Sequence, residues 1–442
     1  MCLAECEGVN GTTLKQLGRI VLAVLTMTGR VTMLGISRWT EKGGSYRTVQ
    51  RLFAKELPWT SMIWTLFRTK LLNRKDEYII AGDETIVTKS GKETYGIDRF
   101  YSSIYSRPVK GLSFWALSLV SVNERKSYPI VVEQRIKNDE EKQANQAKQE
   151  AKKSQKKLKG TPGRRKGCQN KDKTQIEWNP ELRLLEKMIK CLFDLIAGCF
   201  TVSYLVLDGH FGNNNAMQVV LQTASLHLIS KLRHDSELYF QYDGEQKKLG
   251  ANRIYGDRLD TQTIPDKYLV SNTTSDDIQT LIYQANMLHR LFAQLLNIVI
   301  IVQIDLNTGK RGHVILFSSD LNLAFHRLID YYRLRFQIEF NFREAKQFWG
   351  LEDFMNIHQQ QVTNAAQLAF FMVNLSTLLL RRLHHQNPSM SILDLKAYFL
   401  GRRYAIETLS LLPDSHEPLN SHDIISSVSS LGWINPSTSQ GL

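Results

Sequence analysis

Two aspartates in this sequence stand where a run of apolar residues ends. Asp83 follows YIIAG and Asp208 follows YLVL, and both runs are rich in residues that favour β-strands. A carboxylate in such a place emerges at the edge of a sheet, the usual position of a ligand site in α/β folds. Either aspartate alone also has a plain interpretation, since Asp commonly starts turns.

A third acidic residue lies in the segment YYRLRFQIEFNFREAKQFWG, residues 331–350, whose periodicity predicts one helix. Four of its polar residues follow the spacing Y-x2-R-x3-E-x6-K, namely Tyr332, Arg335, Glu339 and Lys346. At 100° per residue the later three lie within about 60° of the first, so the four share one stripe. A solvated charged face is the commonest origin of such a stripe, and from periodicity alone that interpretation stays open.

Three carboxylates brought together have a chemistry of their own. Oxygen ligands without sulfur or imidazole suit Mg²⁺ or Mn²⁺. Two such ions about 4 Å apart activate a water or a 3′-hydroxyl and stabilise the leaving oxygen in phosphodiester transfer. Three cations of the helix would then hold backbone phosphates: Arg335, Arg343 and Lys346. The sharper hypothesis is therefore a two-metal site for phosphodiester chemistry.

The composition favours an anionic partner. With 442 residues and 43% hydrophobic residues, the chain can bury a large core and form two or more structural units. Its formal net charge of +13 favours nucleic acid as the partner, with a membrane surface as the weaker alternative.

The start of the chain lacks the layout of a signal peptide, and its apolar runs fall short of the roughly 20 residues that span a bilayer. The cysteines form no CxxC pair and predict neither a disulfide framework nor a zinc site: Cys2, Cys6, Cys168, Cys191 and Cys199. We therefore expect a cytoplasmic protein with reduced thiols.

The elements that must position the carboxylates predict an α/β fold. Residues 76–234 read as three strands, a helix from Pro180 to about Gly198, and a strand-helix-strand unit around Asp208. Residues 235–320 read as a β-rich insertion with one helix near Ile278–Leu295 and a hairpin turning at 307–309. Residues 321–383 predict further helices and form the last part of the core domain. Residues 384–442 predict a further helical segment followed by a loose tail after Pro413.

Residues 1–75 predict a helical N-terminal domain. Two short helices around Gly43 and Gly44 resemble a helix-turn-helix, whose second helix would present Arg47 and Arg51 to DNA. An ordinary amphipathic hairpin with a basic face fits the same residues, and both interpretations stay open.

Residues 142–173 form a basic insertion, with twelve Lys or Arg residues against Glu150 and Asp172. One interpretation is a solvated loop that aids solubility. The other is a non-specific phosphate-binding arm, because clustered cations gain affinity by releasing counterions from DNA.

Taken together, three motifs resemble a known family. The Y-x2-R-x3-E-x6-K signature, GDETIVTKSGK around Asp83 and LVLDGHFGN around Asp208 resemble, in this order, the DDE transposases of bacterial insertion sequences, specifically the IS-four-type group with its YREK signature. The resemblance spans about residues 77–350. It implies that Asp83, Asp208 and Glu339 are the catalytic, metal-binding triad, with Mg²⁺ or Mn²⁺ as two ions. It also implies that Tyr332, Arg335 and Lys346 contact DNA phosphates.

The resemblance further implies an RNase H-like core interrupted by a β-rich insertion, in line with residues 235–320. It implies cut-and-paste transposition, in which the inverted repeats are bound, a strand is cleaved and the end is joined to target DNA by a homodimer or larger complex. Two features depart from the family. Glu84 stands where members often have Thr or Asp, and no Trp lies between Trp178 and Trp349 to support a DNA-hairpin step. Two alternatives stay open. One is a DNA-binding protein of the same fold that has lost catalytic activity, and the other is an RNase H-like nuclease.

Overall fold

In a computed structural model, the protein is described for residues 6–40, 44–102, 105–138, 141, 143, 172–385, 387–410 and 421–429. The basic insertion lies almost entirely outside these residues, as do Cys2 and Cys168. The helices of the described residues are α1 (Gly11–Thr26), α2 (Met33–Trp39), α3 (Tyr46–Ala54), α4 (Trp59–Lys70), α5 (Pro180–Ile196), α6 (Asn214–Ala224), α7 (Phe325–Leu334), α8 (Gln337–Gln347), α9 (Gln359–Leu383), α10 (Ile392–Ser410) and α11 (Ser421–Ser429).

The strands of the described residues are β1 (Tyr78–Thr88), β2 (Asp98–Ser102), β3 (Arg107–Ser121), β4 (Lys126–Arg135), β5 (Tyr204–Val206), β6 (His227–Leu232), β7 (Leu238–Gln241), β8 (Tyr255–Arg258), β9 (Leu269–Ser275), β10 (Ile278–His289), β11 (Leu296–Asp305) and β12 (Arg311–Ser318). They form a large mixed sheet flanked by helices. The predicted α/β class is therefore confirmed.

The centre of the sheet carries the two aspartates, with Asp83 inside β1 and Asp208 just beyond β5. β4, β3 and β1 pair antiparallel, and β1, β5 and β6 then pair parallel. β3 is fully buried from Gly111 onward, as its mostly apolar sequence predicts. The helix before β5 begins as its sequence predicts, with Asn179 capping the amide of Leu182 and Pro180 in the first turn.

The β-rich block continues this sheet. β12 pairs antiparallel with β6, and β11 and β10 follow outward. The helix predicted near Ile278–Leu295 is wrong, because most of that segment is β10. Its apolar residues have helical spacing, but pairing with β9 on one side and β11 on the other satisfies its backbone as a strand. The hairpin turning at 307–309 is confirmed between β11 and β12.

The single helix predicted over residues 331–350 is also wrong. It is split into α7 and α8, with Arg335 and Phe336 between them. The amides of Phe336, Ile338 and Glu339 each bond to the carbonyl three residues earlier, so the chain tightens into a turn of 3₁₀ type there. In the tail, α11 is a helix where a loose chain was expected.

The N-terminal helices pack on α9. Asn364 of α9 accepts the indole N–H of Trp59 at 2.7 Å and donates to the carbonyls of Phe53 and Lys55, each at 2.7 Å. Among the described helices, α9 is the one long and apolar enough to span a membrane, and 83% of its most apolar window is buried inside the fold. It is the central core helix of this structure.

The turn after α8 packs against the segment between α1 and α2. Gly350 has φ +82°, and a Cβ there would lie 2.4 Å from the Val31 Cβ. The Val31 amide donates to Asp353 Oδ2 at 2.9 Å. The Lys89 ammonium, just beyond β1, donates to the Phe354 carbonyl at 2.7 Å. The end of α8, the end of β1 and the N-terminal helices therefore meet at one turn.

Lys396 of α10 is a half-buried cation at the same junction. Its ammonium donates to the Val24 carbonyl at 2.8 Å and lies 5.2 Å from the Trp349 ring centre. Burial lowers the pKa of Lys396 from 10.5 to about 8, and the charge of Asp353 opposes that shift. Between these two pKa values the unfolded chain binds more protons than the folded chain. The free energy of unfolding is therefore expected to rise with pH across this window.

Replacing Lys396 with Met is expected to flatten that rise, as measured by urea denaturation at the two ends of the window. Lys247→Met is the control, since Lys247 is exposed, and it should keep the wild-type slope. An unchanged slope in Lys396→Met would show that the pH dependence arises elsewhere.

Candidate active site

Asp83 and Asp208 lie at the same level of neighbouring strands. β1 and β5 run parallel with Ala81 opposite Val206, so the two aspartates each come two residues later. Parallel neighbours are about 4.8 Å apart. The two carboxylates therefore come from adjacent positions of neighbouring strands. Asp208 follows the end of β5 as predicted, whereas the strand end predicted at Asp83 is wrong, because β1 continues to Thr88 through its pairing with β3.

The Asp83 carboxylate is held from two sides. Its Oδ2 accepts from Arg335 Nη1 at 2.6 Å, and its Oδ1 accepts the Glu84 amide at 2.8 Å. Burial raises the pKa of Asp83, Arg335 opposes that shift, and the charge of Asp208 adds to it. A raised pKa despite a bonded guanidinium means that the anion is under-stabilised, so a further cation would relieve it.

Arg335 connects Asp83 to the third carboxylate. Its Nη2 lies 3.7 Å from Glu339 Oε1, in the first turn of α8. Burial raises the pKa of Glu339, and the charge of Asp83 contributes in the same direction. The Arg335 Nε is buried and has no hydrogen-bond partner among the described residues. That donor has no acceptor in the described part of the chain, and an anion such as a phosphate would reach it only after the guanidinium moves.

The other two residues of the signature differ in their surroundings. Tyr332 is half-buried, and its ring centre lies 5.9 Å from the Arg335 guanidinium. Lys346 donates to the Ile86 carbonyl of β1 at 2.7 Å and lies 3.6 Å from Glu352. Lys346 therefore fastens α8 to β1, while Tyr332 supports the arginine.

A cleft with a volume of about 600 Å³ contains the centre of this arrangement. Asp83, Asp208 and Lys346 line it directly. Arg335 and Glu339 adjoin it through the contact of Arg335 with Asp83. The structure thus brings the two aspartates and the lysine into one cavity, with the glutamate beside it.

Several charged residues of the cleft were not found from the sequence. His210 Nε2 lies 3.2 Å from Glu181 Oε2, and this hydrogen bond raises the pKa of His210. Arg135 lies 3.7 Å from Glu181 on its other side. His210 follows Asp208 by two residues, a spacing that could have drawn attention to it. Arg135 and Glu181 come from distant segments and carry no such signal.

Glu84 points away from Arg335. Its carboxylate accepts from the Ser113 hydroxyl of β3, whereas the preceding Asp83 bonds to Arg335. Consecutive residues of a strand project in opposite directions, so the two carboxylates diverge, although Glu84 still lines the same cleft as Asp83. Burial raises the pKa of Glu84, and the Ser113 bond opposes that shift.

The remaining predicted contact residues are exposed. Arg343 of α8 lies 4.6 Å from the Phe340 ring centre and does not line the cleft. Arg47 and Arg51 lie on the exposed face of α3, whose opposite face buries Val49 and Leu52. The structure thus leaves all three arginines accessible to a ligand, with those of α3 on a different element from the cleft.

No three Asp, Glu, His or Cys side chains of the described residues converge closely enough to hold a metal ion. Arg335 instead stands between Asp83 and Glu339, where a positive charge is needed. The donor chemistry fits a hard divalent ion, since Asp83, Asp208 and Glu339 would supply carboxylate oxygens and burial raises the pKa of Asp83 despite its bond to Arg335. The fit requires Arg335 to withdraw from Asp83.

A family model for the DDE superfamily endonucleases matches residues 6–286. The chain belongs to this superfamily. The mixed sheet flanked by helices is consistent with a DDE nuclease fold, and the matched span includes Asp83 and Asp208 but ends before Glu339. No curated protein matches the chain.

Membership of this superfamily indicates the general function of the protein. It is a transposase-like or nuclease-like protein, DNA is the implied substrate, and proteins of the superfamily generally depend on divalent metal ions. The predicted class of protein and class of partner are confirmed to that extent.

Replacing Arg335 with Gln is expected to strengthen metal binding by the DNA-free protein. The guanidinium and a metal ion compete for the same carboxylates, so removing one cation favours the other. Mn²⁺ affinity measured by calorimetry checks this, with Arg343→Gln as the control on the same helical segment. Unchanged Mn²⁺ affinity in Arg335→Gln would contradict the competition.

Proposed function

We propose that this DDE endonuclease is a transposase of the IS-four-type group, which cleaves DNA at transposon ends and joins those ends to target DNA. The observation that carries the proposal is the shared register of Asp83 and Asp208 on adjacent parallel strands, with Arg335 linking Asp83 to Glu339. The strand order β4-β3-β1-β5-β6 supports an RNase H-like core.

In this proposal Asp83, Asp208 and Glu339 hold two divalent ions, Mg²⁺ or Mn²⁺. When bound, the ions activate the attacking oxygen and stabilise the leaving one. The chain's own residues position the DNA. Arg335 offers its unpaired Nε–H to a phosphate oxygen and releases Asp83 as it does so, which couples substrate binding to opening of the carboxylates.

Two other residues of the signature complete the phosphate site in the proposal. Tyr332 keeps the guanidinium in place through its ring, and Lys346 supplies a second cation inside the cleft. Arg343 contributes a weaker contact at the rim. Because burial lowers the pKa of Lys346 while Glu352 opposes that shift, a phosphate beside Lys346 would favour its charged form.

Recognition of the transposon ends is assigned to α3. Arg47 and Arg51 are exposed on one face of this short helix, and Ser45 caps its start. A homodimer in the synaptic complex and a cytoplasmic location complete the proposal. The homodimer follows from the resemblance to transposases, and the location follows from the start of the sequence and its short apolar runs.

The experiment is a combined cleavage and joining assay with purified protein, Mg²⁺ and DNA that carries the inverted repeats flanking the gene. Cleavage at the ends followed by joining to a target plasmid supports a transposase. Cleavage without joining, on DNA lacking the repeats, would instead favour an RNase H-like nuclease. End binding without cleavage, unchanged by Asp208→Asn, would favour a decayed DNA-binding protein.

A further inference from the structure

The hairpin of β2 and β3 has an exposed face that the carboxylates do not use. β2 pairs with β3 alone among the described strands, and its residues alternate between the two faces. Phe100 and Ser102 are buried, whereas Arg99 and Tyr101 are exposed. Tyr101 has 65% of its surface exposed, which is unusual for a large ring within a strand.

This hairpin lies at the cleft. Arg99 and Tyr101 line the same cavity as Asp83 and Asp208. A DNA strand that enters the cleft to reach the two aspartates must therefore pass beside the tyrosine ring and the guanidinium.

The cations of the hairpin have no acidic partners within the described part of the chain. Arg99 lies directly opposite Lys110 in the strand register, and Arg107 lies opposite Ser102. Like charges directly opposite each other destabilise a sheet. The acidic residue of β2, Asp98, pairs with Lys137 at 3.5 Å. The exposed positive charges of the hairpin therefore lower the stability of the sheet unless an anion binds beside them.

Lys137 also holds the backbone of the hairpin in place. The Lys137 ammonium lies 4.7 Å from the Phe100 ring centre and donates to the Arg99 carbonyl. Together with its ion pair to Asp98, these contacts fix the backbone on which Arg99 and Tyr101 stand. A fixed backbone lowers the entropy lost when a ligand binds.

We propose that the β2–β3 hairpin binds unpaired nucleotides of the DNA strand in the cleft, with a base stacked on Tyr101 and the backbone held by Arg99 and Lys110. Stacking on an exposed ring requires an accessible base face, and in a duplex the neighbouring bases cover that face. Arg99 and Lys110 alone would bind the phosphates of a duplex equally well. The inference rests on the proposed function, and it adds that the substrate is unpaired next to the cleaved position.

The test is fluorescence anisotropy in EDTA, with a labelled duplex that carries a single-stranded overhang and the matching blunt duplex. Tyr101→Ala is expected to weaken binding of the overhang duplex by about 5- to 100-fold and to leave the blunt duplex unchanged. Tyr101→Phe should retain overhang binding. Tyr404→Ala is the matched control, since Tyr404 is 54% exposed on α10. Equal weakening of both duplexes, or of neither, would overturn the inference.

The cations have a separate readout. Combining Arg99→Gln with Lys110→Gln is expected to reduce the slope of log affinity against log salt by about 1.4 for the overhang duplex, since two phosphate contacts to a single strand are lost. An unchanged slope would remove these residues from the binding surface.

Failure of this inference and failure of the proposed function are distinguishable. The binding assay contains no divalent ion and detects no cleavage. If Asp208→Asn keeps full cleavage while Tyr101→Ala loses overhang binding, the catalytic assignment fails and the hairpin site stands. If Asp208→Asn abolishes cleavage while Tyr101→Ala binds normally, the hairpin site alone fails.

Discussion

Glu339→Gln is expected to reduce the rate of DNA cleavage by more than about a hundredfold. This loss exceeds the one expected for a residue that only holds a metal ligand in place. The amide keeps the shape of the side chain but loses the charge that a divalent ion needs. Glu339 is 44% exposed in its side chain, so the substitution leaves the packing of α8 intact. DNA binding measured in EDTA should be retained.

Arg343→Gln is the matched control for this variant. It lies one turn further along α8, is exposed and contacts Phe340. Its cleavage rate should stay within a few-fold of the wild type. Equal losses in both variants would point to damage of the helix, and full activity in Glu339→Gln would remove Glu339 from the catalytic set.

Asn364→Leu is expected to lower the free energy of unfolding by about 3 kcal/mol or more, because each buried polar group left without a partner costs about 1–3 kcal/mol. Asn364 is 1% exposed. The substitution would leave four groups without this partner: the Trp59 indole N–H, the Gln360 side-chain amide and the carbonyls of Phe53 and Lys55. Urea denaturation measures the loss.

Asn374→Leu on the same helix provides the comparison. Asn374 is fully buried but donates one hydrogen bond, to the Pro129 carbonyl at 2.8 Å, and its own Oδ1 has no partner among the described residues. Its replacement should therefore cost less than that of Asn364. If the two variants lose equal stability, the network around Asn364 is not what holds the N-terminal helices to α9.

Local sequence patterns predicted many of the elements. β1, β3 and β4 follow from their β-branched runs, and the starts of α5 and α6 agree with their predicted positions. β10 was predicted wrongly because its spacing of apolar residues fits a helix. The strand forms because β9 and β11 supply backbone partners, and β11 reaches it only after the chain has turned back. Such non-local pairing overrides local periodicity.

The structure brings several of the predicted site residues close together, but their contacts were not predictable from the sequence. The sequence placed Asp208 just beyond a strand, as found, but it also predicted a strand end at Asp83, where β1 in fact continues for five more residues along β3. The bond of Arg335 to Asp83 joins residues 252 positions apart, and the tightened turn between α7 and α8 interrupts the predicted stripe. Tyr101 carried no sequence signal, since its exposure depends on β2 lying at the sheet edge.

The turn that holds Gly350 against Val31 sets limits on redesign of this protein. If α3 recognises the transposon ends as proposed, its exposed residues can be exchanged to seek a new DNA specificity while that turn stays unchanged. A longer segment between α1 and α2 would instead displace Val31, push on Gly350 and shift the end of α8. The surface of α3 is therefore open to redesign, whereas the length of the connection between α1 and α2 is tied to the position of α8.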